Sequence, residues 1–461
     1  MTKRESSREI EGGFALGKHA LLSKKVPHKP ALLFFFFLLA YNFIIMLRCV
    51  PPSIGVYYVY YVLNFSFGFC TRLLPGTVYN LFVSEPSPQS ATAYMYILMI
   101  LFLAAVSLLL EKLLLSLPSG QQPLCLLLVA FYLTGPATFS PHIFAFGLLD
   151  VHWLIAMIPF LLLLQNKWGR FLLPVFPFVL MLISFGAIIS WVPFCGLLVF
   201  YELTLTEVKK HRRQIAAIFF VTIMVAVGTF AYFSANEKKN LNYSIDEFNQ
   251  ILVDHGCYYL HYFDSSFYGD FAAAIKVYTD EFGDENNPYA SYEDYKTADF
   301  KDYFSNMADG KVKQFLNTLF NRFGQHWLLY RYQDYAQLKK SLGFMLMLLI
   351  VLAPPGCLFY AVLRRKWQIV KGDRLNRFLY FCLQVFFPIL IIVSLFISID
   401  STRWTMHSFM MLFTFILYMI YKEKGSVLDI LREKLCAVPR LALLIYGGIY
   451  SFTFISPYVY A

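Results

Sequence analysis

The residues best suited to chemistry in this chain of 461 residues stand at the start of an apolar segment near its C-terminal end. Asp400 is followed by Arg403, and His407 comes four positions after that arginine. In a helix that begins here, Arg403 and His407 lie on one face and Asp400 lies one turn earlier. Arginine suits a phosphate or diphosphate, because its planar guanidinium donates two parallel hydrogen bonds. The pattern predicts phosphate binding by Arg403 and His407, with Asp400 as a catalytic carboxylate.

The alternative for this segment is purely structural. Asp400 would cap the helix, and Arg403 with Trp404 would anchor it at a membrane surface. Lysine would serve such an anchor almost as well as arginine, because an ammonium group also reaches the headgroups.

A second candidate site stands at Asp150 and His152, which open the apolar segment 151–164. An Asp before an apolar run is a common helix cap, and this is the simpler explanation. A carboxylate at the border of an apolar segment can also act as a general base. We therefore keep Asp150 beside Asp400 as a candidate catalytic carboxylate.

A third candidate is Arg72, in an apolar stretch that glycines and prolines interrupt. Its guanidinium could bind phosphate together with Arg403, because an unpaired cation in apolar surroundings is costly. We then expect both arginines to approach one crevice. The alternative is that the Arg72 side chain only extends to the lipid headgroups.

The elements that must position these residues are membrane helices. The chain is 58% hydrophobic and 15% charged, whereas soluble domains carry roughly 25% charged residues. A bilayer core about 30 Å thick needs a helix of about 20 mostly apolar residues. The apolar segments predict an all-α, polytopic helical bundle of about eleven spans. The segment 171–203 is too long for one ordinary span, and we expect two short helices that meet near 190–193.

The charge distribution predicts the orientation and the partner. The net charge of +10 is concentrated in clusters such as 209–213 and 364–366. Clusters of this kind suit an anionic membrane surface and do not indicate nucleic acid. Because short cytoplasmic loops carry the excess of Lys and Arg, we expect a multi-pass protein of the cell membrane with a cytoplasmic N-terminus and an extracytoplasmic C-terminus.

Four regions follow from this topology. Residues 1–30 form a basic cytoplasmic tail, and residues 31–234 form N-terminal membrane helices with an outer loop at 48–90. Residues 235–340 are a polar extracytoplasmic insertion with short helices, and residues 341–461 are the C-terminal membrane helices. The eight cysteines are scattered without a CxxC pair, so we predict no disulfide framework, no metal site and no cofactor.

Two motifs resemble known signatures. The segment 65–69 (FSFGF) with Arg72 and Gly76 resembles the DYSxGFxxRxLxG signature of a broad set of largely uncharacterised bacterial polytopic membrane proteins. The segment 399–404 (IDSTRW) resembles their GxDxxRW signature. Such proteins resemble the GT-C glycosyltransferases and the O-antigen or capsule polymerases in span count and outer-loop layout.

The resemblance implies a glycosyltransferase or polysaccharide polymerase of the cell envelope, acting on polyprenyl-phosphate-linked sugars at the outer face. The leading Asp of the first signature is Asn64 here, and an amide cannot act as a general base. The segment near 188–191 also lacks the His-Glu that such proteins often carry at this turn. A non-catalytic transporter or flippase of a lipid-linked glycan, or a structural component of a surface-assembly complex, is the alternative.

Overall fold

The computed structural model describes residues 30–48, 58–134, 149–205, 211–236, 335–370, 373–397 and 401–453, with short stretches between 240 and 313. Within these ranges the chain is helical and contains no β-strand. The helices are, in chain order, α1 (Pro30–Arg48), α2 (Val59–Val62), α3 (Leu73–Asn80), α4 (Pro88–Leu115), α5 (Gln122–Thr134), α6 (Asp150–Gln165), α7 (Val175–Ile183), α8 (Trp191–Glu202), α9 (Arg212–Asn236), α10 (Tyr335–Ile369), α11 (Arg374–Ile397), α12 (Ser401–Glu423), α13 (Gly425–Cys436) and α14 (Arg440–Thr453). The predicted all-helical fold is confirmed over these residues.

Three of the described helical stretches are long and apolar enough to cross a bilayer, namely Pro88–Leu115, Arg212–Phe233 and Arg374–Ile391. This supports a membrane protein, but it does not confirm about eleven spans. The physical reason is length, because α6 has 16 residues and α8 has 12, and a single crossing needs about 20. The tail 1–30 and most of the insertion 235–340 lie outside the described residues.

The surface of the long helices fits a lipid environment. Large apolar side chains stand exposed on α9, such as Phe220 and Met224, and on α11, such as Phe378 and Phe386. A soluble protein rarely exposes contiguous apolar surface of this kind. In a bilayer the same side chains face acyl chains and need no protein partner.

The segment 171–203 folds as two short helices, α7 and α8, with a 3-10 segment at Phe185–Ile189 between them. The second helix begins at Trp191, within the predicted turn. Both helices pack on α9, and α8 also packs on α11 and α12. This arrangement places Trp191, the first residue of α8, against His407 in the second turn of α12.

The segment expected as an outer loop at 48–90 contains a packed part of the core. Tyr61, Leu63 and Tyr79 of this segment are completely buried. Helix α3 approaches the end of α2 so closely that a Cβ atom on Gly76 would stand 1.8 Å from the carbonyl oxygen of Leu63. Only glycine allows this contact, because it carries no side chain.

Candidate functional site

The first turn of α6 and the first half of α12 bring together Asp150 and His407. The Nε2 atom of His407 lies 3.0 Å from Oδ2 of Asp150. Both residues are buried, with His407 2% and Asp150 3% exposed to solvent. The positive end of the α6 dipole lies at its N-terminus, which favours a carboxylate there. The structure thus joins a predicted catalytic carboxylate to a predicted phosphate-binding histidine.

A third side chain, Trp191, fixes the orientation of this histidine. Its indole Nε1–H donates a hydrogen bond of 3.2 Å to Nδ1 of His407. An indole nitrogen can only donate, so Nδ1 must accept. The single N–H of a neutral imidazole then lies on Nε2, where it points at the Asp150 carboxylate.

Aromatic rings enclose the Asp150–His407 pair. The Trp191 and Trp153 rings pack edge-on against the His407 ring, with centroids 5.6 and 5.7 Å away. The indole of Trp153 is itself held by a 3.1 Å hydrogen bond to the carbonyl of Leu180 on α7. Such surroundings exclude water and strengthen the hydrogen bond between imidazole and carboxylate.

In this arrangement His407 orients the carboxylate. Both of its ring nitrogens have protein partners, so it has no donor left for a phosphate. Asp150 is the group that can accept a proton, as a carboxylate held in a fixed direction. Arg72 and Arg403 stay the predicted phosphate-binding arginines.

His152 lies two residues after Asp150 and faces a different part of the bundle. It retains 9% of its exposure, and neither ring nitrogen has a hydrogen-bond partner. Its ring packs against those of Tyr61 and Tyr94, with centroids 6.0 and 6.4 Å away. The hydroxyl of Ser190, which directly precedes Trp191, is also buried without a partner.

A second polar cluster, here called the Glu202 cluster, lies at the opposite ends of α8 and α12. Oε2 of Glu202 accepts from Arg170 at 2.7 Å, and Oε1 accepts from Lys422 at 2.9 Å and from the Tyr418 hydroxyl. Next to it, Glu423 accepts from Tyr201 at 2.5 Å and pairs with Lys366. These residues are absent from the predicted site, although Glu202 and Glu423 are acidic residues that end two apolar segments, which is a pattern visible in the sequence.

The first motif has a structural role in the described residues. The Asn64 side chain accepts a 2.8 Å hydrogen bond from the Ser66 amide and so caps a 3-10 turn. The Phe65 amide donates to Oγ1 of Thr77 at 2.9 Å. Arg72 follows with left-handed backbone, φ 66°, directly before α3.

The remaining predicted site residues are described only in part. Asp400 lies outside the described residues. The backbone of Arg403 belongs to α12, one helical turn before His407, but its side chain lies outside the described part of the chain. The crevice between Arg72 and Arg403 therefore stays a prediction.

Comparison with known proteins finds no relative. No protein-family model, no curated protein and no solved structure matches this chain.

Proposed function

We propose that this protein is an integral membrane glycosyltransferase or polysaccharide polymerase that acts on polyprenyl-phosphate-linked sugars at the outer face of the membrane. The observation that carries the proposal is the buried Asp150–His407 pair, in which the imidazole N–H is directed at the carboxylate. Ionisable groups inside a membrane protein are costly and generally mark function. The proposal includes about eleven crossings, a cytoplasmic N-terminus and an extracytoplasmic C-terminus.

The reaction assigns one role to each side chain. Asp150 takes the proton of an acceptor hydroxyl while that oxygen attacks the anomeric carbon of the donor sugar. The bond between this carbon and the phosphate oxygen breaks, and its electron pair leaves with the phosphate. His407 orients the carboxylate, and Trp191 fixes the histidine tautomer.

The departing phosphate needs positive charge. We assign this role to Arg403, which stands one turn before His407 on α12, with Arg72 as the second candidate. A guanidinium that donates two hydrogen bonds stabilises the charge that develops on the leaving group. Asp400, at the start of the same helix, is the alternative carboxylate for the base.

A second candidate function is a transporter or flippase of a lipid-linked glycan. The specific observation in its favour is the Glu202 cluster, because buried ionisable groups then lie at both ends of α12, with His407 near its start and Glu202 of α8 against its end. Chains of Asp, Glu and His residues form proton relays in membrane pumps and transporters. A structural role in a surface-assembly complex would need neither set of buried charges.

The test replaces one oxygen of the proposed base. Asp150→Asn keeps the shape of the side chain and removes its ability to take a proton, so we expect transfer to fall by about 100-fold or more. The matched control is Asp429→Asn, since Asp429 is an exposed carboxylate on α13 whose contact with Gln121 needs only an acceptor oxygen. Surface polysaccharide amount and chain length are measured in host cells, relative to protein level in the membrane. Transfer at the wild-type rate by Asp150→Asn would overturn the assignment.

A measurement in proteoliposomes separates the two candidate functions. A transferase converts a lipid-linked oligosaccharide into a product of greater mass. A flippase carries the same lipid-linked oligosaccharide across the bilayer and leaves its mass unchanged. Movement without any change in mass would replace the transferase by the transporter.

A further inference from the structure

The starts of α9 and α11 lie side by side and together carry four arginines. Nη2 of Arg212, in the first turn of α9, donates a 2.6 Å hydrogen bond to Oδ1 of Asn376, in the first turn of α11. Arg213 follows Arg212 in the chain, and Arg374 and Arg377 lie on either side of Asn376. We call Arg212, Arg213, Arg374 and Arg377 the arginine patch.

The described part of the chain does not neutralise the arginine patch with ion pairs. The buried carboxylates of the Glu202 cluster, at the same end of the bundle, are bonded to other cations. Among the described residues, no member of the arginine patch forms an ion pair with a carboxylate. Arg377 instead packs over the ring of Trp367, 4.7 Å from its centroid. The patch therefore presents a local excess of positive charge.

The helix ends add to this excess. The N-terminus of a helix is the positive end of its dipole, so cations in the first turn are unfavourable and anions are favourable. The first turns of α9 and α11 contain no acidic residue. Asp373 offsets part of the charge, because it precedes α11 and accepts a 3.1 Å hydrogen bond from the Asn376 amide. An anion bound at the patch would lower the remaining electrostatic cost.

The surface beside the arginine patch is apolar. Phe378 lies one turn after Arg374, and Phe381 lies one turn after Arg377, and these two phenylalanines are 60% and 54% exposed. Residues four positions apart lie on the same face of a helix. Each arginine of α11 is therefore followed along its face by an exposed aromatic ring.

The two neighbouring surfaces select the class of ligand. A guanidinium group donates two parallel hydrogen bonds to a phosphate, which a lysine cannot do. The exposed rings suit acyl chains, because they need no polar partner. A ligand with an anionic phosphate head and apolar chains matches both surfaces, whereas a soluble phosphate matches the arginines alone.

We propose that the arginine patch binds the headgroup of an anionic phospholipid, whose acyl chains lie along Phe378 and Phe381. Basic segments attract anionic lipids in general, but that attraction favours no particular residue. A defined site requires the two exposed members of the patch, Arg213 and Arg374. The inference does not depend on the proposed function, since a transporter could hold the same lipid.

The experiment removes the two exposed arginines together. Arg213→Gln with Arg374→Gln leaves the Arg212–Asn376 hydrogen bond and the Arg377–Trp367 contact in place, so we expect a folded protein. The matched control is Arg432→Gln with Arg440→Gln, which removes the same charge from exposed positions on α13 and α14. A further variant, Arg213→Lys with Arg374→Lys, keeps the charge and removes the bidentate fork.

Three probes identify the ligand. Purified full-length protein in a neutral detergent is titrated with phosphatidylglycerol, with phosphatidylcholine or with inorganic phosphate, and the rise in apparent Tm gives the affinity. Phosphatidylcholine carries the same phosphate together with a choline cation that cancels its charge. We expect the wild type to bind phosphatidylglycerol more tightly than the other two probes.

The variants are expected to differ in phosphatidylglycerol binding. Each basic residue near an anionic lipid surface contributes about fivefold in affinity, so the double glutamine variant should bind about tenfold or more weakly. The lysine variant should lie between this variant and the wild type, and it serves as the test if the glutamine variant does not accumulate. The control variant should keep the wild-type affinity.

Four results would each overturn the lipid site. Wild-type affinity for phosphatidylglycerol in both patch variants would show that the patch does not bind it. An equal loss in the control variant would assign binding to the general surface charge. Equal binding of phosphatidylcholine by the wild type would show that the anionic charge is not recognised. Equal protection by inorganic phosphate would show a soluble phosphate site in place of a lipid site.

Discussion

The Glu202 cluster allows the sharpest stability prediction, because Glu202 is completely buried and uses both carboxylate oxygens. One oxygen accepts from Arg170, and the other accepts from Lys422 and from the Tyr418 hydroxyl. In Glu202→Gln an amide NH₂ must replace one of these oxygens. Whichever way the amide turns, it presents donors to donors on one side. The substitution therefore removes the charge, and at least one hydrogen bond is lost because two donors face each other.

The magnitude follows from the burial of the cations. Removing one partner of a fully buried ion pair costs about 3–5 kcal/mol, because the other charge stays behind without compensation. Arg170 and Lys422 retain 12% and 15% side-chain exposure, so water relieves part of that cost. We expect a loss of about 3 kcal/mol, which for a chain of 461 residues corresponds to a fall of about 3 °C in the apparent Tm.

The assay is thermal unfolding of the purified protein in detergent, with Glu433→Gln as the matched control. Glu433 pairs with Lys434 at 3.2 Å on α13, and its side chain is 58% exposed. Such surface pairs contribute about 0–1 kcal/mol, so this variant should unfold within about 1 °C of the wild type. Equal Tm values for the two variants would refute the argument that burial decides the cost.

A double variant tests whether charge is the cause. Adding Lys422→Met to Glu202→Gln removes one of the two cations that lost their carboxylate. The double variant should therefore be more stable than the sum of the single losses predicts, by about 1–3 kcal/mol. Additive losses would show that packing, and not charge, is what Glu202 supplies.

Two further predictions concern single contacts. Trp191→Phe removes the donor to Nδ1 of His407 and frees the ring to change tautomer. Sugar transfer should then fall about tenfold, while the protein still accumulates in the membrane. Unchanged sugar transfer would contradict the role of the tautomer. Gly76→Ala should abolish accumulation of folded protein in a fluorescence-detected size-exclusion profile, because its Cβ would meet the Leu63 carbonyl. Gly228→Ala on α9, where a Cβ meets nothing within 4 Å, is the control and should accumulate normally.

The helical fold could be predicted because long apolar segments with basic clusters at their ends are typical of membrane helices. The segment 171–203 shows this well, since its length and its basic flanks required two short helices, and the structure has α7 and α8 there. The number of crossings could not be predicted as safely. An apolar segment shorter than about 20 residues, such as 151–164, does not by itself show whether the chain crosses the bilayer there.

The candidate site could be predicted only as separate residues. The position of Asp150 before an apolar run marked it, and helical spacing marked His407. Their pairing depends on how α6 packs against α12, which no local pattern contains. Sequence proximity favoured Asp400 as the partner of the α12 residues, because a nearby carboxylate is the one that a single helix can bring close. The burial of Glu202 was missed for the same reason, since an acid beside a basic cluster also fits a solvated helix end.

The contacts between α8 and α12 have a further consequence for how the protein can move. Trp191 bonds to His407 and Glu202 bonds to Tyr418, and both pairs are separated by 216 positions in the chain. The two helices therefore run parallel and in register, and hydrogen bonds join them at two points about 16 Å apart along their axes. Sliding one helix past the other by a single turn would break both hydrogen bonds at once. The two helices therefore form a rigid unit between the Asp150 site and the Glu202 cluster, so a movement of this helix pair at one site also moves the other.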